Sequence, residues 1–392
     1  MVGFLRTHRP ANLFVISLIA ALGTIAAYAS VALSGTKTGV VLAGIAIFGP
    51  ALLYGALSSP IAFPFALYIF LIPFNNLLML DAFGTVTRLV AIASGAAMLF
   101  FMLRTRKVAT PPDVLVIWVL YYLWIATTTF WALNLESSML LIPTMVQLLL
   151  IYAVVAIFPM DLQRLRIVVG AAVAGGFAAS AYGVMVFRSG AANGYQGRLY
   201  LSTDNAAFDP NHFASGLILP VALALVGALW TRRPLVRVAY AVAVAVMLLA
   251  MAYSASRGAL LGVFAVILFL LIRDRHRIQL AGVSAVIGGL VLALQTTLIQ
   301  RFSQALSTGG AGRIDIWRVA LSAFKKYWLT GAGFGNFPDA YDKVLIQSYQ
   351  LNFTGEHRAP HNLLLGTSVE LGIVGLALLL IAWYGHIRLL NQ

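Results

Sequence analysis

The chain contains no cysteine, so disulfides and thiolate metal sites are excluded. It is also poor in charge. Only 10% of its residues are Asp, Glu, Lys or Arg, against roughly 25% in soluble domains. Acids are the scarcer sign, with 12 Asp and Glu against 26 Lys and Arg in 392 residues. Asp204 and Asp209 are too sparse to make a divalent-cation site, so no metal is expected. No internal repeat or low-complexity segment is visible, and nothing marks a second domain. Residues 1–392 therefore read as a single membrane domain.

Apolar sequence is what the chain has in abundance, at 61% of all residues. Many runs reach the ~20 apolar residues needed to cross a hydrocarbon core. About twelve are legible, near 11–34, 39–57, 60–79, 87–103, 114–131, 138–158, 166–187, 211–231, 236–254, 258–272, 279–297 and 361–387. Only Ser58 and Ser59 separate the second from the third, which makes that boundary weak. The run at 258–272 is short. The first run is too long in its apolar core for a cleaved signal peptide, and more spans follow it at once. The fold class expected is an all-α, polytopic membrane protein.

Lys and Arg in short loops orient such a protein. Placing the N-terminus in the cytoplasm puts Arg104, Arg106, Lys107, Arg164, Arg166, Arg232, Arg233, Arg237, Arg273, Arg275 and Arg277 there too. Twelve spans return the C-terminus, with Arg388, to the same side. Residues 298–360 then form one large periplasmic loop before the last span. The net charge of +14 is absorbed largely by this topology signal facing anionic lipid. No soluble basic domain remains to bind nucleic acid, so the expected partner on that count is the lipid bilayer.

The outer face holds nearly all the polar side chains able to do chemistry. Gly197-Arg198 lies in a Gly- and Asn-rich loop, where the arginine is either a ligand or a plain loop residue. Asp209-Pro210-Asn211-His212 follows. Asp209 suits an N-cap and Pro210 a first helical turn, which on its own is only a well-capped helix. Ser254-Ala255-Ser256-Arg257-Gly258 joins two spans. Arg257 there either snorkels to the headgroups or donates its planar fork to a phosphate or sugar. Ser256 adds a hydroxyl donor, and Gly258 allows close backbone approach.

The long loop contributes Gly312-Arg313-Ile314-Asp315-Ile316-Trp317. It opens an amphipathic stretch, 314–327, with apolar residues at helical spacing. Gly331-Ala332-Gly333-Phe334-Gly335-Asn336-Phe337 is no dinucleotide fingerprint, since no strand precedes it; it reads as a tight turn. His361-Asn362 opens the last span. An imidazole at the water interface suits general-base work, though an interfacial His with no such role fits the same position. Glu370 lies nine residues on, roughly on the same face of a continuous helix. An ionisable group inside a span is rare, and the role expected for Glu370 is to anchor loop backbone or an arginine.

Taken in order, these segments resemble the O-antigen ligase and polymerase superfamily of multi-span glycosyltransferases. The match covers mainly residues 195–385. The resemblance implies a metal-independent, inverting transfer of a glycan on the periplasmic side of the bacterial inner membrane, with no cofactor. It implies undecaprenyl-diphosphate-linked glycan as donor. By the resemblance Arg198 and Arg257 bind the donor diphosphate and His361 is the catalytic base. Arg313, Ser256, Asn211 and Asn362 are further substrate-binding candidates, with Asp209 and Glu370 as structural neighbours. His357 is the nearest rival to His361.

The leading expectation is an O-antigen ligase that moves polysaccharide from undecaprenyl diphosphate to lipid A–core oligosaccharide. The alternative is a polymerase of the same superfamily. A transporter is more distant: its ionisable groups would gather at mid-membrane within inverted repeats, whereas here they gather at one face. Pro64, Pro73, Pro143 and Pro220 are helix-breaking signals that keep the transport reading open.

Overall fold

Length and hydropathy favour helices here, because a span in lipid must satisfy every backbone group internally. The structure, a computed structural model, describes residues 52–80, 84–190, 197–202, 209–273, 313–345 and 355–390, and the single residue Gly282. Nearly all of it is helix. Seven helices among the described residues are long and apolar enough to cross a membrane. The count becomes eight if Leu52–Ser58 (α1) and Ile61–Phe74, bent by 112°, form one broken span. That bend falls at the Ser58-Ser59 boundary. The expected spans at 11–34 and, apart from Gly282, 279–297, and most of 39–57, lie outside the described residues. The run at 258–272 is a helix of 17 residues, short for a full crossing.

The remaining helices are α2 (Ala66–Leu71), α3 (Val86–Thr105), α4 (Asp113–Thr128), α5 (Leu135–Ile157), α6 (Leu162–Arg188), α7 (Pro210–Gly216), α8 (Ile218–Trp230), α9 (Pro234–Ser254), α10 (Arg257–Arg273), α11 (Arg313–Lys326), α12 (Phe337–Leu345) and α13 (Leu363–Leu390). One small hairpin, β1 (Met79–Leu80) with β2 (Gly84–Thr85), leads into α3 with Met79 opposite Thr85. Pro143 sits inside an unbroken α5.

The chain divides into two compact units, residues 1–107 with 160–254, and residues 108–159 with 255–392. In the first, α6 packs against α2, α8 and α9. Its buried face is Ala172, Val173, Gly175, Gly176, Ala179, Ser180 and Gly183. Small residues let membrane helices approach closely, where lipid gives no hydrophobic drive between them.

In the second unit α4 packs against α13 and α5, and α11 packs against α13 and α12. Trp118 Nε1 on α4 donates to His386 Nε2 on α13 at 2.9 Å. The buried face of α11 is Ile316, Val319, Ala320 and Ala323, the i, i+3, i+4, i+7 stripe of an amphipathic helix. Phe337, Tyr341 and Val344 of α12 and Val369 of α13 complete that core. The expected amphipathic stretch is therefore a helix docked on the last span.

The last span is broken where hydropathy shows nothing. Gly372 has φ 65 and ψ −168, and it lies nine residues into α13, about 14 Å at ~1.5 Å per residue. Backbone at that depth must find partners, and the 328–333 segment supplies them. Ile373 N–H donates to Trp328 O at 2.8 Å, Ala332 N–H to Val369 O at 2.8 Å, and Gly333 N–H to Glu370 O at 2.9 Å. Trp124 Nε1 from α4 donates to Leu371 O at 2.9 Å. The close crossing requires glycine on both sides. A Cβ on Gly331, whose φ is +80, would lie 2.2 Å from Glu370 O. One on Gly372 would lie 2.2 Å from Leu329 O.

Candidate functional site

In the first unit Arg198 is held from two directions. It is 5% exposed, and its neighbour's Leu199 N–H donates to Tyr253 O at 3.0 Å. Arg198 Nε donates to Ser254 O at 2.8 Å, and Nη2 donates to Asn211 Oδ1 at 2.9 Å. Asn211 is itself oriented by Asp209. Its backbone N–H and its Nδ2 both donate to Asp209 Oδ1, at 2.7 and 2.9 Å. With the amide nitrogen committed to a carboxylate, the amide oxygen is left to face the guanidinium. Asp209 also caps α7, and Pro210 occupies its first turn. The helix start is thus well capped, and the cap doubles as the support of an arginine. His212 Nε2 lies 3.7 Å from Asp209 Oδ2 on the same turn.

The second unit carries Ser256, Arg257, Arg313, His361, Asn362 and Glu370. Ala255 has φ 50, a left-handed backbone that non-glycine residues seldom adopt. Ser256 is 2% exposed; its carbonyl accepts from Leu260 N–H at 3.2 Å and its Oγ from Ala259 N–H at 3.4 Å. Arg257 is the first residue of α10, half-buried at a helix N-terminus, where orphan N–H groups and the dipole favour an anion. Arg313 begins α11.

His361 precedes the last helix and is not part of it. Its φ is 46, and α13 starts at Leu363. Asn362 is the cap, its Oδ1 accepting from Leu365 N–H at 3.2 Å. Pro360 O accepts from Trp317 Nε1 of α11 at 3.1 Å. The imidazole is therefore exposed on a turn pinned on both sides. This corrects the expectation that His361 and Glu370 share one face of a continuous helix, because a left-handed residue stands outside the helical periodicity.

Glu370 Oε1 accepts from Phe337 N–H at 3.2 Å, joining the last span to the start of α12. The 331–337 turn is further fixed by Asn336, 0% exposed. Its Nδ2 donates to Ser138 Oγ at 2.8 Å and Phe334 O at 2.9 Å, and its Oδ1 accepts from Asn134 N–H. Phe334 N–H donates to Thr128 Oγ1 at 3.2 Å. Sequence reading missed Asn336, Trp317 and Trp124 as positioning residues. Apart from Phe334 beside Asn336, their partners lie 43 to 247 positions away in the chain.

His357 forms a second ordered imidazole. Its backbone N–H donates to Asp342 Oδ1 at 2.7 Å, and its Nδ1 lies 3.0 Å from Oδ2. That hydrogen bond to the Asp342 carboxylate raises the imidazole above its ordinary 6.5.

Residues 242–380 match the family model of the O-antigen ligase. The matched stretch begins in α9 and ends in α13, and so takes in Ser256, Arg257, Arg313, His361, Asn362 and Glu370. Arg198, Asp209 and Asn211 precede it. No curated protein and no solved structure matches the chain.

Proposed function

We propose, from the O-antigen ligase domain that residues 242–380 match, that this multi-pass protein transfers a glycan from undecaprenyl diphosphate to lipid A–core oligosaccharide. The active face is periplasmic, both termini are cytoplasmic, and the membrane is the bacterial inner membrane. An acceptor sugar hydroxyl attacks the anomeric carbon of the donor. The bond from that carbon to the diphosphate oxygen breaks as the new glycosidic bond forms, so the configuration inverts. The electron pair leaves on the diphosphate, and the hydroxyl proton goes to His361.

Each residue's part follows from charge. Negative charge grows on the leaving diphosphate, and guanidinium groups in a low-dielectric site stabilise it more in the transition state than before it. Arg198 and Arg257 are assigned that role, with Asn211 and Asp209 fixing the first and Ser256 the start of the helix that bears the second. Arg313 and Asn362 contact substrate, and Glu370 holds the loop backbone.

The observation that carries this reading is the exposed, doubly pinned His361 turn inside the matched domain. A base needs a fixed position and access to solvent-borne hydroxyls, and the Trp317–Pro360 bond and the Asn362 cap supply the first. The test is transfer by purified protein given lipid-linked glycan and lipid A–core. His361→Ala is expected to slow it by about 10²–10⁴-fold while leaving donor binding intact. Loss of donor binding instead would make His361 a diphosphate ligand. Near-normal turnover would move the base to His357, whose contact with Asp342 resembles the base–orienter pairs of acid–base enzymes.

A polymerase would handle the donor with the same groups and differ in its acceptor, another lipid-linked repeat. It is the second reading: the matched domain supports either reaction, and the ligase is preferred for the twelve apolar runs with one dominant loop, 298–360, before the last of them.

A further inference from the structure

The first unit contains a cavity of about 380 Å³ beside the Arg198 support. Tyr68, Asn75, Asn76, Thr87, His212 and Phe213 are among its lining residues. Such a volume falls in the range of small-molecule pockets, roughly 300–1,000 Å³. A larger cavity in the same unit, about 710 Å³, is lined by apolar residues throughout. The smaller one differs in kind: two carboxamides, two hydroxyls, an imidazole and two aromatic rings, with no Lys, Arg, Asp or Glu among the described residues that line it. Carboxamides and hydroxyls offer paired donors and acceptors without net charge, and aromatic rings offer apolar faces. That combination suits a neutral polyhydroxylated ring, not an anion.

Two further observations bear on it. Thr87 is buried, and its Oγ1 has no hydrogen-bond partner among the described residues. A buried orphan hydroxyl calls for a reason. Threonine in a helix divides between two χ1 rotamers, and Thr87, in the first turn of α3, lines the cavity, so its hydroxyl is available to a ligand there. The second is position. His212 follows Asn211, whose Oδ1 accepts from Arg198, and Leu201 of the lining is three residues past Arg198. Asn75 and Asn76 end the Ile61–Phe74 segment, so the polar lining lies at the end of the span that the topology assigns to the outer face.

We infer that this cavity is the sugar subsite of the donor, taking the pyranose attached to the diphosphate while Arg198 holds the phosphate. The inference rests on the proposed function. Asn75, Asn76 and Thr87 bind the ring hydroxyls, and Tyr68 and Phe213 cover its apolar edges. The sugar is thereby recognised by the unit that lies mostly outside the matched ligase domain.

The test measures binding of two probes to purified protein in nanodiscs: bare undecaprenyl diphosphate, and undecaprenyl diphosphate carrying a single hexopyranose. Wild type is expected to bind the sugar-bearing lipid more tightly. Thr87→Val and Asn76→Leu should each lower that affinity by roughly two- to tenfold, the scale of one hydrogen bond. Neither should change binding of the bare lipid, and Thr87→Ser should retain the advantage. If the variants keep the full advantage, or wild type shows none, the subsite is wrong and the diphosphate site stands. Weakened binding of both probes by the variants would make these residues supports of the fold and overturn the subsite. If wild type binds neither probe, the functional reading itself fails and the subsite with it.

Discussion

Replacing Gly331 by alanine tests the crossing that holds the broken last span to the loop before it. The new Cβ would lie 2.2 Å from Glu370 O, 2.4 Å from its carbonyl carbon and 2.5 Å from Leu371 N. Ordinary contact begins near 3.4 Å, so the two backbones must part by more than an ångström. All the clashing atoms are main chain, so no side chain can swing aside. Separation on that scale takes the bonds Ala332–Val369, Gly333–Glu370 and Ile373–Trp328 with it. Each buried group left unpaired costs about 1–3 kcal/mol, and alanine at a left-handed φ adds about 1–2 kcal/mol. The expected loss is about 4 kcal/mol or more, a fall in Tm of about 5 °C or more for a chain of this length. Intrinsic-fluorescence melting of detergent-purified protein reads it directly. Gly372→Ala, facing Leu329 O and Gly331 N, should behave alike. Gly170→Ala, with nothing within 4 Å of its Cβ, is the control and should be neutral or slightly stabilising. A Gly331→Ala protein melting within about 2 °C of wild type would refute the interlock.

Arg257→Lys keeps the charge but loses the planar fork. Transfer should fall by about 10²–10³-fold, the loss typical of one electrostatic donor, with expression and Tm unchanged; near-normal turnover would remove the bidentate argument. Trp317→Phe deletes the bond to Pro360 and should lower kcat more than it raises KM, because the turn bearing His361 loosens while the donor contacts stay. Equal effects on both would argue against positioning. His357, raised by its bond to Asp342, contributes stability that is complete below about 6.5 and is lost as pH rises through the raised value. Asp342→Asn should return its NMR titration to about 6.5. Because the pair is exposed, the effect on Tm should be small. Cysteine at Ser322 should react with an impermeant reagent added from the periplasm, whereas cysteine at Arg233 should not; the reverse pattern would invert the topology.

Much of the helical layout was legible because lipid imposes it. The runs at 87–103, 114–131, 138–158 and 166–187 each correspond to one long helix, since twenty apolar residues have no alternative in a membrane. Asp209-Pro210 announced α7 because a cap is a local matter, settled within three residues. The stretch at 314–327 was legible by its period. Features that depend on distant partners were not. Gly372 sits in an apolar run, and only the backbone of 328–333 turns it into a break. His361 read as a helical residue because its left-handed φ depends on Asn362 taking the cap and on Trp317 holding Pro360. Asn336 stood in a glycine-rich motif whose meaning is a staple to Ser138 and Asn134. Asn75, Asn76 and Thr87 looked like ordinary loop and helix-start residues. Their grouping with His212 arises only when the first unit folds.

The most direct test of the whole reading is product analysis with purified protein. Undecaprenyl-diphosphate-linked glycan is supplied with lipid A–core in one reaction and with further lipid-linked repeat in another. The account expects glycan on lipid A–core, with inverted anomeric configuration and release of undecaprenyl diphosphate. Lengthened lipid-linked chains in the second reaction and no product in the first would assign the polymerase reaction instead. No transfer in either, by protein that still binds the donor, would contradict glycosyl transfer altogether.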